Sequence, residues 1–133
     1  MKPKLTSLVP LALLASVLTA GCAGSQQAKL YNMKDGSASA LVVDSPGASA
    51  GSVSGKLASG ASCHGSFSTL DPANAQKLSS AEVLFTENAV ASVAVLSCDS
   101  GTVLRCTLAR RGGEAFSYGE CRDQGGAEYS MVF

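Results

Sequence analysis

Tryptophan is absent from this chain, and aromatic residues make up only 5% of its 133 residues. Core volume must come from Val, Leu and Ala with a handful of Phe and Tyr, which is marginal for one small domain. Covalent reinforcement is expected in such a chain. Histidine occurs once, at His64, and no Cys-x-x-Cys pair is present. The sequence therefore offers no clustered zinc ligands and no redox dithiol, so neither a metal nor a cofactor is expected. Basic and acidic residues balance at ten each and are scattered. No basic field exists to attract nucleic acid. A glycine-rich phosphate loop is missing, and no two carboxylates have an informative spacing. The one long apolar run, residues 5–18, falls short of the roughly 20 residues that a comfortable bilayer span needs.

That run is nevertheless the start of what is present. It is mostly Leu, Ala and Val, follows Lys2 and Lys4, and leads into Leu18-Thr19-Ala20-Gly21-Cys22. A positive flank, a short apolar stretch and small residues before a cleavage point make a secretory signal. The cysteine makes it a lipoprotein signal, with Cys22 as the lipidated first residue of the mature chain. An ordinary signal cut at small residues is the alternative. A thiol is the best available nucleophile for a thioether to lipid. Each buried acyl methylene contributes about 0.8 kcal/mol, and stable anchoring takes two or more chains. By resemblance to lipoproteins of Gram-negative bacteria, Ala23 after the cysteine implies the outer membrane. The expected division is a removed signal at 1–21, a flexible tether at 22–28 and a single disulfide-stabilised β-domain at 29–133. The tether, fully stretched, spans at most roughly 25 Å.

Removal of the first 21 residues leaves 112, with eight basic against ten acidic side chains. Four cysteines remain after Cys22: Cys63, Cys98, Cys106 and Cys121. An even number in an exported chain reads as two disulfides. Three pairings are possible, and Cys63–Cys98 with Cys106–Cys121 is favoured, because the second would cross-link a hairpin turning near Gly112-Gly113. Each bridge contributes roughly 3–4 kcal/mol through loop closure.

Residues 29–43 read as a hairpin around Asp35-Gly36, a tight-turn pair. A Ser/Gly/Ala/Pro loop follows, then a weak strand at 51–56, a turn at Ser59-Gly60 and a partner strand at 63–67. Asp71 and Pro72 suit the start of a short helix near 72–79. Residues 82–86 and 89–97 have strand-like spacing, with a helical alternative over 79–94. Leu104, Cys106 and Leu108 share one strand face, and Val103, Arg105 and Thr107 the other. Phe116 and Tyr118 are placed together, opposite Ser117, Gly119 and Cys121. Tyr129, Met131 and Phe133 alternate with Glu128, Ser130 and Val132. Six to eight short antiparallel strands imply an all-β sandwich or small open barrel.

Three local motifs invite chemical readings. Gly47-Ala48-Ser49-Ala50-Gly51 matches the nucleophile-elbow pattern, but that pattern needs a strand before it and a helix after it. Cys63-His64 suggests a thiolate–imidazole pair, yet adjacent strand residues point to opposite faces. The Arg110-Arg111 doublet reads as a solvated turn rather than a phosphate contact. No catalytic residue is assigned, and an enzyme is not expected.

Leu30-Tyr31, Gly60-x-x-Cys63-x-Gly65, Leu96-Ser97-Cys98-Asp99-x-Gly101-Thr102, Gly119-x-Cys121 and Tyr129-x-Met131-x-Phe133 together resemble small envelope lipoproteins of proteobacteria without an assigned activity. Cys98-Asp99-Ser100-Gly101 and Gly125-Gly126-Ala127-Glu128-Tyr129 resemble, more faintly, loops of lipoprotein lysozyme inhibitors. Gly125 stands where that family has serine, so inhibitory residues do not carry over. The expectation is a lipid-anchored, non-enzymatic binding or structural module on the periplasmic face of the outer membrane. Its partners would be the membrane, through the lipid, and an envelope protein or polymer, with no nucleic acid. A lysozyme inhibitor is the alternative, and a small exported hydrolase comes third.

Overall fold

Alternation of small apolar and polar residues runs through nearly the whole described chain, and it produces strands with one buried face. The computed structural model describes residues 24–71 and 89–133. They form eight strands: β1 (Ser25–Asn32), β2 (Ala38–Asp44), β3 (Ala50–Lys56), β4 (Ser62–Thr69), β5 (Ala89–Cys98), β6 (Val103–Arg111), β7 (Phe116–Asp123) and β8 (Glu128–Val132). Each pairs antiparallel with the next, and β8 returns to β1, closing a barrel in sequence order. The all-β expectation holds. The sheet closes, however, rather than remaining open or stacking as a sandwich. No helix occurs among the described residues. The short helix near 72–79, the strand at 82–86, the signal and Cys22 lie outside them.

The expected tether is corrected. β1 begins at Ser25, so residues 25–28 belong to the barrel wall, with Ser25 opposite Asp44 and Ala28 opposite Leu41. Ala28 is buried. The polar Gln26 is held by structure rather than by solvent. Its side-chain amide donates to the Phe116 carbonyl at 2.7 Å, and its oxygen accepts from the Phe116 N–H at 3.0 Å. β8 ends before it reaches that level, so Gln26 bridges β1 to β7 across the gap.

The core fills the barrel. Leu30, Leu41, Val43, Val53, Phe67, Leu96, Leu104 and Leu108 are almost wholly inaccessible. The scarce aromatics are concentrated: Phe67 meets Phe116 edge-on at 5.1 Å, and Phe116 meets Phe133 at 5.9 Å. Gly51 makes room for this column, since a β-carbon there would lie 2.5 Å from the Phe67 ring. The two disulfides, Cys63–Cys98 and Cys106–Cys121, join directly opposed residues on β4–β5 and β6–β7. This is the favoured pairing.

One face assignment is overturned. Phe116 is buried, whereas Tyr118 points outward, with Gly119 and Cys121 on the inner side. The register skips at Ala109/Arg110, so Tyr118 opposes Ala109 while Phe116 opposes Arg110. Ser117 is the extra residue of a β-bulge, and one extra residue reverses the faces on either side of it.

The barrel has two unlike ends. At one, three hairpins repeat the same turn. Leu57, Cys98 and Asp123 each donate N–H to the carbonyl four residues on, and Gly60, Gly101 and Gly126 sit at φ 91°, 88° and 89°. This is the three-residue loop with a glycine in the left-handed region. The Asp35-Gly36 hairpin is longer than the expected tight turn. Asn32 pairs with Ser37 across four residues, and only Gly36 has positive φ. Lateral hydrogen bonds then link this end all round. Met33 N–H donates to the Glu128 carbonyl and Ala58 N–H to Ser39 Oγ, while Ser62 N–H reaches Asp99 Oδ1. Gln124 spans from Gly101 to Val103 at 2.8 Å each. At the other end lie Gly24, Phe133, the loops 45–49 and 112–115, the end of β4 and the start of β5.

Candidate functional site

With the lumen filled by the core, an accessible groove can only lie on the outer wall or at an end. The outward residues of β6, β7 and β8 line a groove of about 550 Å³, which also reaches Met33, Gln124 and Tyr129. Its charged residues are ordered by register. Arg105 lies directly opposite Arg122 across β6–β7, and Arg122 lies opposite Glu128 across β7–β8. Like charges directly opposed are unfavourable. Arg122 is relieved by Glu128, 2.5 Å away, in the one ion pair among the described residues. Both partners are more than 60% exposed, so the pair contributes well under 1 kcal/mol. Glu120 accepts a hydrogen bond from the Tyr118 hydroxyl. Arg105 is thus left facing the groove without an ion-pair partner among the described residues.

The rim is fixed from within the fold. Asp123 Oδ1 accepts the N–H groups of Gly125 and Ala127, both at 2.9 Å. Its other oxygen receives the Tyr129 hydroxyl at 3.5 Å. Burial, and after it the charge of Asp123, raises the Tyr129 phenol above its ordinary value. Tyr129 therefore stays a neutral donor across the physiological range. Behind the groove, Cys106–Cys121 staples β6 to β7, and Cys121 forms part of the floor. The groove combines exposed guanidinium, carboxylate, amide and phenol groups on a stapled wall. That is the chemistry of recognition by hydrogen bonds and charge.

Other sequence candidates fall elsewhere. Cys63, Cys98, Cys106 and Cys121 are buried in the two bridges. His64 is exposed on β4 with Cys63 turned inward, so the adjacent pair does not meet. Ser49 accompanies Thr69, whereas His64 pairs with Ser54. Five strand residues, roughly 16 Å at strand rise, separate the two positions, far beyond hydrogen-bond reach. Ser49 is also followed by β3 and not by a helix.

The Arg110-Arg111 doublet is divided. Arg111 is exposed, but Arg110 is 6% accessible, inside the mouth beside Phe116. It is therefore no solvated turn residue. Its guanidinium donates to the carbonyls of Gly112 and Ala48, and Nε is buried with no partner among the described residues. It ties loop 112–115 to loop 45–49. The alternation of β6 through Leu104, Cys106 and Leu108 extends inward to Arg110, and that was the available signal. The groove residues Arg105, Tyr118, Arg122 and Glu128 carried none beyond facing outward, because cross-strand register assembles them.

The fold defines a class: a small, closed, antiparallel up-and-down β-barrel with two cross-strand disulfides and a polar groove on its wall. No protein-family model matches this chain, and no curated protein or solved structure matches it either.

Proposed function

We propose that this protein is a lipid-anchored, non-enzymatic binding module of the bacterial envelope, held by Cys22 at the periplasmic face of the outer membrane, with the β6–β8 groove as its recognition surface. The observation that carries the reading is Arg105, which has no ion-pair partner among the described residues and is opposed to Arg122 on a wall stapled by Cys106–Cys121. A like-charge pairing on a rigid sheet costs stability, and a partner that brings a complementary group relieves it. Preorganised donors lose little freedom on binding. Two disulfides suit an oxidising compartment, and the sequence Leu18-Thr19-Ala20-Gly21-Cys22 supplies the route there.

The test is photo-crosslinking in cells. A photoreactive residue in place of Thr107, on the groove wall, is expected to give a discrete adduct that Arg105→Glu abolishes. The same residue in place of Ser54, on the outer face of β3, is expected to give none. Equal adducts from both positions, or none from Thr107, would remove the groove from the reading.

One observation favours the lysozyme-inhibitor alternative. The two loop segments that resemble that family lie side by side at one end, joined by Gln124 to Gly101. Inhibition of lysozyme's substrate turnover by the protein would support it, and no inhibition at micromolar concentration ends it.

A further inference from the structure

The sequence places a tether at 22–28 between lipid and domain, and the fold takes residues 25–28 of it into β1. Gly24 is already hydrogen-bonded, its carbonyl accepting from Ser45 N–H at 3.2 Å. Ser25 pairs with Asp44, and Gln26 is locked to Phe116 on the far side of the seam. Two peptide steps separate Cys22 from Gly24, which span at most about 7 Å.

We infer that the barrel is carried without a free linker, its mouth of loops 45–49 and 112–115 held against the bilayer surface and its end of repeated turns directed away. The inference rests on the lipid anchor at Cys22 proposed above and adds the orientation and the surface that meets the membrane. Three features of the mouth fit a lipid surface as its neighbour. β1 enters the barrel at this mouth, so the anchor pulls on this end and no other. The two loops are short and built mostly of small residues, Ser45-Pro46-Gly47-Ala48-Ser49 and Gly112-Gly113-Glu114-Ala115. They are also sewn together: Arg110 bonds both, and a β-carbon on Gly47 would lie 2.7 Å from the Gly113 carbonyl. The opposite end stands about 20 Å further out, from the length and tilt of an eight-residue strand in a barrel. Asp123, Gln124 and Glu128, at the outer end of the groove, are therefore presented to whatever lies beyond the membrane.

The full lipidated protein, reconstituted in vesicles that contain lipids with a quenching headgroup, tests this. A fluorescent non-natural residue replaces Glu114 at the mouth or Ser59 at the opposite end. Quenching at position 114 is expected to be severalfold stronger than at 59. An insertion of Gly/Ser residues between Ala23 and Gly24 is expected to shrink that difference. Equal quenching, or stronger quenching at 59, with Cys22 shown by mass spectrometry to carry its lipid, overturns the orientation and leaves the anchor standing. An unmodified Cys22 in the native protein overturns both.

Discussion

Three side chains show how a single residue here departs from its ordinary behaviour. Tyr129 is half-buried beside Asp123, and its folded-state value lies above the ordinary 10.0. The native state holds that proton more tightly than the unfolded chain. Its contribution to stability is complete below pH 10 and is lost as pH rises through the raised value. Tyr129→Phe should therefore flatten the alkaline fall in stability, measured by denaturant unfolding at a series of pH values above 10. An identical fall in wild type and variant would show that the phenol contributes nothing there. Asp35 has the opposite sign. The backbone N–H of Ser37 holds its carboxyl below the usual range, so its contribution is lost as pH falls through that depressed value. Arg110 departs furthest. A guanidinium with one N–H unpaired inside a barrel is costly, and it is retained where two loops need a donor with reach.

At the scale of elements, the closing seam between β8 and β1 is one of the short ones. It has four paired positions, as do β2–β3 and β7–β8, whereas β5–β6 has nine. Gln26 completes it by acting as a surrogate strand for both polar groups of Phe116. Gln26→Ala leaves those groups unmatched beside the core and should cost about 2 kcal/mol. Unfolding equilibria would measure the loss, and amide exchange at Phe116 should accelerate with it. An unchanged exchange rate would mean that the bridge is not formed in solution. This same contact explains why the tether was misread. Ser25-Gln26-Gln27-Ala28 looks like solvated linker, and what orders it lies 90 residues away in sequence. Local pattern alone carries the period-two alternation of β6 and β8, and Gly60 and Gly101 at the turns. The bulge at Ser117 has no local signature, so it inverted Phe116 and Tyr118. The groove is a product of register among three strands, so no single strand could announce it.

For the whole molecule, the question is whether so small a core holds the barrel unaided. The loops closed by the bridges span 35 and 15 residues. Chain-entropy reasoning assigns them roughly 4 and 3 kcal/mol respectively. A domain of this size is stable by about 5–15 kcal/mol in total, so the two bridges together rival the net margin. The longer bridge matters in a second way. It aligns β4 with β5, strands separated by 19 residues in sequence, whereas the other neighbouring strands of the chain are joined by short turns. Reduction should therefore remove most of the cooperative thermal transition, followed by far-ultraviolet circular dichroism because the chain has no tryptophan to report. The single-bridge variants Cys63→Ala/Cys98→Ala and Cys106→Ala/Cys121→Ala should fall between, with the first the less stable. If reduced and oxidised protein melt at the same temperature, the hydrophobic core is sufficient alone, and the requirement for an oxidising compartment falls with it.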